Sequence, residues 1–184
     1  MRIATVNDPA LRQRAQEVEA QELLQPDTQR LIDELIQTRR EAGGAGLAAN
    51  QVRVLKRVAV VEVDEATRQR YPYKPPFPLT VMVNPSIEPL SDEKLLINEG
   101  CLSIPGVRGD VERYVHVRVN YFDRNGARCE LEARGLTAGT FQHEVDHLDG
   151  VLFVDRTDPS SLTTWEKFER QGMAEFLERV KPYT

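Results

Sequence analysis

The sequence predicts an α+β fold in which small, mostly antiparallel sheets pack around one central helix, with an N-terminal helix and a C-terminal helix beside them. Three stretches carry that prediction. Residues 114–122 and 127–134 alternate apolar and polar side chains on either side of Asp123-Arg124-Asn125-Gly126, the period-two signature of a hairpin. Residues 27–40 place Leu31, Ile32, Leu35 and Ile36 on one face at helical spacing. Residues 136–148 form a second helical pattern, with His143 and His147 one turn apart on a single face.

At 184 residues the chain fits one domain, residues 1–184. A domain of that size buries about 70% of the surface its unfolded chain exposes and needs no staples. The net charge of -5, with positive residues interspersed among acids, argues against direct nucleic-acid binding. No apolar run is long enough to span a bilayer, so no membrane contact is expected. Asp8 interrupts the start before a secretory core could form, and the two cysteines suit a reducing compartment, so a cytoplasmic location is expected.

In chain order, Asp8-Pro9 reads as a cap and first turn for a short helical piece. The helix over 27–40 ends at Gly43-Gly44, with Arg39 and Arg40 suited to its C-terminal dipole. Gly44-Ala45-Gly46-Leu47-Ala48-Ala49-Asn50-Gln51 then reads as a tightly packed segment or a substrate groove, and the residues alone leave Gln51 undecided between an incidental and a functional role. A nucleotide-binding loop fails there, because no strand precedes the run and the third glycine is missing. Residues 58–63 and 79–83 are strand candidates, the second ending at Asn84-Pro85. Between them, Pro72, Pro75, Pro76 and Pro78 predict a surface excursion over 71–78. Cys129 falls on the apolar side of its strand as a packing residue, and His116 on the polar side of its own. After the central helix stops at Gly150, Val151-Leu152-Phe153-Val154 reads as a short strand. A capping box at Thr163-Thr164-Trp165-Glu166 opens a last helix whose apolar face is Trp165, Phe168, Phe176, Leu177 and Val180.

The chemistry concentrates at Gln142-His143-Glu144-Val145-Asp146-His147. Two imidazoles at i and i+4 reach one cation, and Glu144 sits beside it, free to serve as general base on water. Cys101, flanked by glycine and turn residues, supplies the third ligand these histidines lack. One thiolate and two imidazoles leave a coordination position open, which is the arrangement of a catalytic rather than a structural metal.

Together, Gly44 to Gln51, Glu99-Gly100-Cys101-Leu102-Ser103 and Gln142 to His147 resemble the three signature motifs of the peptide deformylases, in the same order. Asn50, where a small residue, a hydroxyl residue or proline is common, and the longer proline-rich loop depart from the pattern. The resemblance implies a hydrolase that removes the formyl group from N-formylmethionyl nascent peptides and releases formate. It implies Cys101, His143 and His147 as metal ligands, Glu144 as acid/base, and Gln51 with the Leu102 N–H as the oxyanion hole. It further implies one divalent metal ion, natively Fe(II), with Zn, Ni or Co as substitutes, and a transient contact with the ribosome.

On that basis Gly44, Ala45, Gly46 and Gly100 are expected along the bound peptide, with backbone pairing at Ala45 and Gly100. Leu136 and Thr140 are expected in the methionine pocket. Two other readings of the motif helix are a metalloendopeptidase and a structural metal domain closed by Cys129.

Overall fold

The hydrophobic spacing of residues 58–63 is continuous rather than alternating, and the reason lies in what flanks the strand. In the computed structural model, which describes residues 1–183, this segment is β2 of a five-stranded sheet and is buried along its whole length. The chain reaches it through a 3-10 turn at Pro9–Arg12, where the Asp8 carboxylate accepts from Ala10 N–H, then α1 (Ala20–Leu23), α2 (Pro26–Ala42) and β1 (Gly46–Ala48). Val58 and Val60 pack towards Leu31, Ile32, Leu35 and Ile36 of α2, while Ala59 and Val61 belong to the cluster on the opposite face.

After β2 (Val58–Val63) come α3 (Glu65–Arg70) and β3 (Phe77–Pro89). A long hairpin follows, β4 (Lys94–Cys101) with β5 (Ile104–Tyr114), and then the predicted hairpin, β6 (His116–Phe122) with β7 (Arg128–Arg134). The central helix is α4 (Gly135–Leu148). Beyond it lie β8 (Thr163–Thr164), α5 (Trp165–Lys167), a π turn over Phe168–Gly172, and α6 (Met173–Val180). One sheet runs β1-β2-β3-β6-β7 and the other β4-β5-β8, all pairings antiparallel. Helix α4 packs its Ala138, Phe141 and Leu148 against the larger sheet and its Leu136 against Leu95 and Ile97 of the smaller one. Phe141 is fully buried, and truncating such a ring costs about 3–5 kcal/mol. No helix among the described residues is long and apolar enough to cross a membrane.

Several expectations are corrected. The strand over 79–83 continues through Asn84-Pro85 to Pro89. Asn84 takes a left-handed φ of 51°, the ladder bulges between Val83 and Ser86, and the Asn84 amide pairs with both backbone groups of Val18 at 2.9 Å. The proline-rich stretch is no surface excursion. Pro72, Pro76 and Pro78 face solvent, whereas Tyr73 packs on Phe176 with ring centroids 5.1 Å apart, and Phe77 opens β3 against Phe141 at 5.3 Å. A turn closed by Lys74 N–H to Tyr71 O at 3.0 Å brings Tyr73 and Lys74 inward together, while the prolines keep the stretch out of any ladder before Phe77. Residues 151–154 form no strand, because the Asp155 carboxylate accepts from Leu152 N–H at 2.8 Å and closes a 3-10 turn over Phe153–Asp155. Leu177 is exposed rather than part of the last helix's buried face. Arg39 does lie in the last turn of α2, as expected, but it is fully buried and its guanidinium turns to a network of acceptors. It donates to Glu62, to Gly44 O and Thr67 Oγ1 at 2.9 Å each, and to Asp64 at 2.8 Å.

The Arg39 guanidinium holds the Asp64 carboxyl well below its ordinary value of 3.8. A depressed carboxylate contributes stability that is complete above its unfolded pKa and lost as pH falls through the folded one. Urea unfolding should therefore show a shallower loss of stability between about pH 4 and pH 2 in Asp64→Asn than in the parent chain. Equal slopes would mean that the pair does not titrate with folding.

Candidate active site

Helix α4 carries His143 and His147 on one face, and β4 delivers Cys101 to them at its last position. Cys101 Sγ lies 3.1 Å from His147 Nε2, and the ligand atoms of Cys101, His143 and His147 all lie within 4.8 Å of one another. Burial alone would push the Cys101 thiol up. The charge of His147 and hydrogen bonding to both imidazoles outweigh it and hold the thiol well below 9.0. These neighbours favour the thiolate, the form in which cysteine binds metals. Burial would likewise lower His143, but its hydrogen bonds to Cys101 and Glu99 hold it well above 6.5. This mutually compensated set of one soft anion and two imidazoles fits a divalent transition-metal ion.

The residues around the ligands fix their aim. Glu99 Oε2 accepts from His143 Nδ1 at 2.8 Å, which presents Nε2 to the cluster, as outer partners of metal-bound histidines do. Arg113 in turn bridges Glu99, through Nε at 2.7 Å, and Asp146, through Nη1 at 2.5 Å. Arg156 grips the same Asp146 carboxylate with two bonds of 2.7 Å. Gln142 spans the helix to β5 by bonding both the N–H and the C=O of Tyr114, at 3.1 and 2.9 Å. Asn50, which departs from the family pattern, is fully buried and donates through Nδ2 to the His147 carbonyl.

Glu144 is buried, and among the described residues its Oε2 has no hydrogen-bond partner. Burial raises its pKa above 4.5, with His143 and His147 opposing the shift. The carboxylate lies against Gly46, where an added Cβ would stand 2.3 Å from Oε1. Gln51 is held in the 3-10 turn after β1, its Oε1 accepting from Ala48 N–H at 2.9 Å. Its Nε2 donates to Ser103 Oγ at 3.1 Å and lies 3.6 Å from Cys101 Sγ. Leu102 occupies the turn between β4 and β5 and packs on Gly44.

A cavity of about 190 Å³ opens beside these groups. Gly44, Ala45, Gly46, Gly100, Leu136 and Thr140 all line it. The Ala45 carbonyl is already engaged by Glu62 N–H at 2.9 Å. Sequence reasoning missed much of the remaining wall, Tyr73, Lys74 and Arg108 among it. Lys74 Nζ donates to Thr140 Oγ1 at 2.8 Å, and burial lowers its pKa to about 8 against the opposing charge of Glu99. Aromatic residues interleaved with the prolines of 71–78 were the available signal for this wall. Cys129 lies on β7, outside the ligand cluster, and His116 bonds Glu132 across β6 and β7 at 2.9 Å.

A buried carboxylate with an unspent oxygen, set beside three convergent ligand atoms, marks the chain as a metal-dependent hydrolase. Comparison with known proteins narrows that class. The polypeptide deformylase family profile matches residues 1–162, and the chain belongs to that family. It is 45% identical over 152 residues to peptide deformylase 2 of Xanthomonas campestris pv. campestris, covering 83% of this chain and 84% of that protein. It is 40% identical over 177 residues to the chloroplastic/mitochondrial peptide deformylase 1A of Arabidopsis thaliana, covering 91% of this chain and 65% of that one. The Met-Ala-Ser-bound crystal structure of the class I type b peptide deformylase from Acinetobacter baumannii superposes with a TM-score of 0.80 at 41% identity, covering 85% of this chain and 97% of that one. The endopeptidase and structural-metal readings are not favoured by these relationships.

Because Gly46 has no room for a methyl group, Gly46→Ala should displace Glu144 and lower kcat by tenfold or more, about 1.4 kcal/mol, with metal content unchanged. Steady-state kinetics beside elemental analysis of the variant checks this, and full activity would show that the carboxylate tolerates movement.

Proposed function

We propose that this chain removes the N-terminal formyl group from formyl-methionyl nascent polypeptides, with Cys101, His143 and His147 holding one divalent ion and Glu144 serving as acid and base. The observation that carries this reading is the convergence of those three ligand atoms beside the unpartnered Glu144 oxygen. When bound, the ion supplies Lewis acidity, lowering the pKa of water towards neutrality and polarising the formyl carbonyl.

The chain's own residues do the rest. Glu144 accepts the proton of the attacking water, a role suited to a carboxyl whose pKa is raised by burial. Gln51 Nε2 and the Leu102 N–H donate to the oxyanion that forms on the former formyl oxygen, each such donor being worth about 3–4 kcal/mol. Glu144 then returns its proton to the departing methionine amine, and formate leaves. Leu136 and Thr140 take the methionine side chain, and Gly44, Ala45, Gly46 and Gly100 flank the peptide backbone. The Met-Ala-Ser held by the Acinetobacter protein supports a site for a short extended peptide. We assign Fe(II) as the native ion, with Zn, Ni or Co able to occupy the site, since imidazole and thiolate donors accept all of them. We place the reaction in the cytoplasm, with a transient contact at the ribosome.

Replacing Glu144 with alanine should abolish formate release from formyl-Met-Ala-Ser while one equivalent of metal stays bound; retained turnover would remove Glu144 from the reaction. Chelation should likewise abolish activity, and anaerobic reloading with Fe(II) should restore more of it than zinc does. Equal recovery with both ions would withdraw the iron assignment.

A further inference from the structure

One wall of the cavity has a chemistry that a thioether does not use. Lys74 reaches in from the proline-rich stretch, and among the described residues its ammonium makes one hydrogen bond, to Thr140 Oγ1 at 2.8 Å. An ammonium has three donors, so two remain unspent in a largely buried place. The Thr140 hydroxyl passes its own proton to Leu136 O at 3.0 Å, so it cannot turn that donor to a ligand without breaking a helix contact. The neighbouring Arg108 is already engaged, through Nε to Asn98 Oδ1 at 2.7 Å and Nη2 to Asn98 O at 2.6 Å, and its guanidinium carbon lies 4.8 Å from the ring centroids of both Trp165 and Phe168. Lys74 is therefore a cation of this wall that, among the described residues, keeps donors to spare next to Thr140. It stands beside Thr140 and Leu136, the two positions read above as the pocket for the first side chain.

We propose that Lys74 is a specificity-determining residue that lets this pocket accept a first side chain ending in an oxygen acceptor, methionine sulfoxide above all, alongside methionine. The proposal rests on the reading of the cavity as the first side-chain pocket of a deformylase. A thioether sulfur is a weak acceptor and leaves the ammonium short of partners. Oxidation to the sulfoxide keeps the length of the side chain and adds a strong acceptor at the same atom, where an apolar pocket would reject it. A buried donor that a ligand can satisfy discriminates far more strongly than an added methylene does.

The test uses the full-length, metal-loaded chain and three peptides: formyl-Met-Ala-Ser, its methionine sulfoxide form, and its norleucine form, which has neither sulfur nor oxygen. Formate release should give the sulfoxide peptide a kcat/KM within about tenfold of the methionine peptide in the parent chain. In Lys74→Met the ratio of kcat/KM for the sulfoxide peptide to that for the norleucine peptide should fall about tenfold or more. Lys74→Gln, which keeps a donor of similar reach, should fall between the two and serves if the methionine variant does not fold. A sulfoxide-to-norleucine ratio that is the same in the parent chain and the variants would overturn the role of Lys74. Failure of the folded, loaded parent chain to cleave formyl-Met-Ala-Ser at all would instead overturn the deformylase reading, and this inference with it.

Discussion

The geometry of the site depends on one buried ion cluster, in which Arg113 of β5 is held between Glu99 of β4 and Asp146 of α4. Glu99 lies two positions before Cys101, and Asp146 lies between the two histidines. The guanidinium therefore ties the strand that brings the thiolate to the helix that brings the imidazoles. Its contribution is better understood as geometry than as stability. Apolar replacements of a whole buried ion pair are often neutral, whereas removing one partner strands a charge and costs about 3–5 kcal/mol. The cluster also reaches the ligands directly, because the Glu99 oxygen that accepts from Arg113 Nη2 at 3.0 Å also bonds His143 Nδ1. The charge of Arg113 and the bond from His143 outweigh burial and hold the Glu99 carboxyl well below its ordinary value, which favours it as an acceptor for the imidazole.

Much of this was legible in residue spacing alone. The i, i+4 histidines and the glutamate between them announced the helix and its chemistry, and the alternation across Asp123 to Gly126 announced β6 and β7. The β4–β5 hairpin did not declare itself, although it forms a long run of pairing and carries Cys101. Its inward positions hold Asn98, Glu99, Arg108 and Arg113 as well as Leu95, Ile97 and Val111, so polar groups that satisfy one another in the core interrupt the apolar rhythm. Pairings of that kind depend on residues distant in the chain, and periodicity cannot register them. Leu95, Ile97 and Val111 were the remaining signal.

The same blindness explains the inward wall of 71–78 and the position of Asn50. Prolines were a sound sign of an extended connector, yet which face of that connector turned inward was decided by Phe176 and Phe141, from much later in the chain. Asn50 looked like a neutral departure in a motif of small residues. In the folded chain its amide supports the backbone of His147, one of the three candidate ligands, so the departure from the motif has a structural use.

The C-terminal segment adds a mechanical consequence. Residues after 162 lie outside the family match, yet Phe168, Phe176, Val180 and Tyr183 close over Leu136 in the first turn of α4, and the Tyr183 hydroxyl is anchored to Glu93 at 2.6 Å. The helix that carries the chemistry is thus braced at its root by sequence that the family does not prescribe. A substitution in that segment would therefore reach the site through the first turn of α4, at a distance from all three motifs.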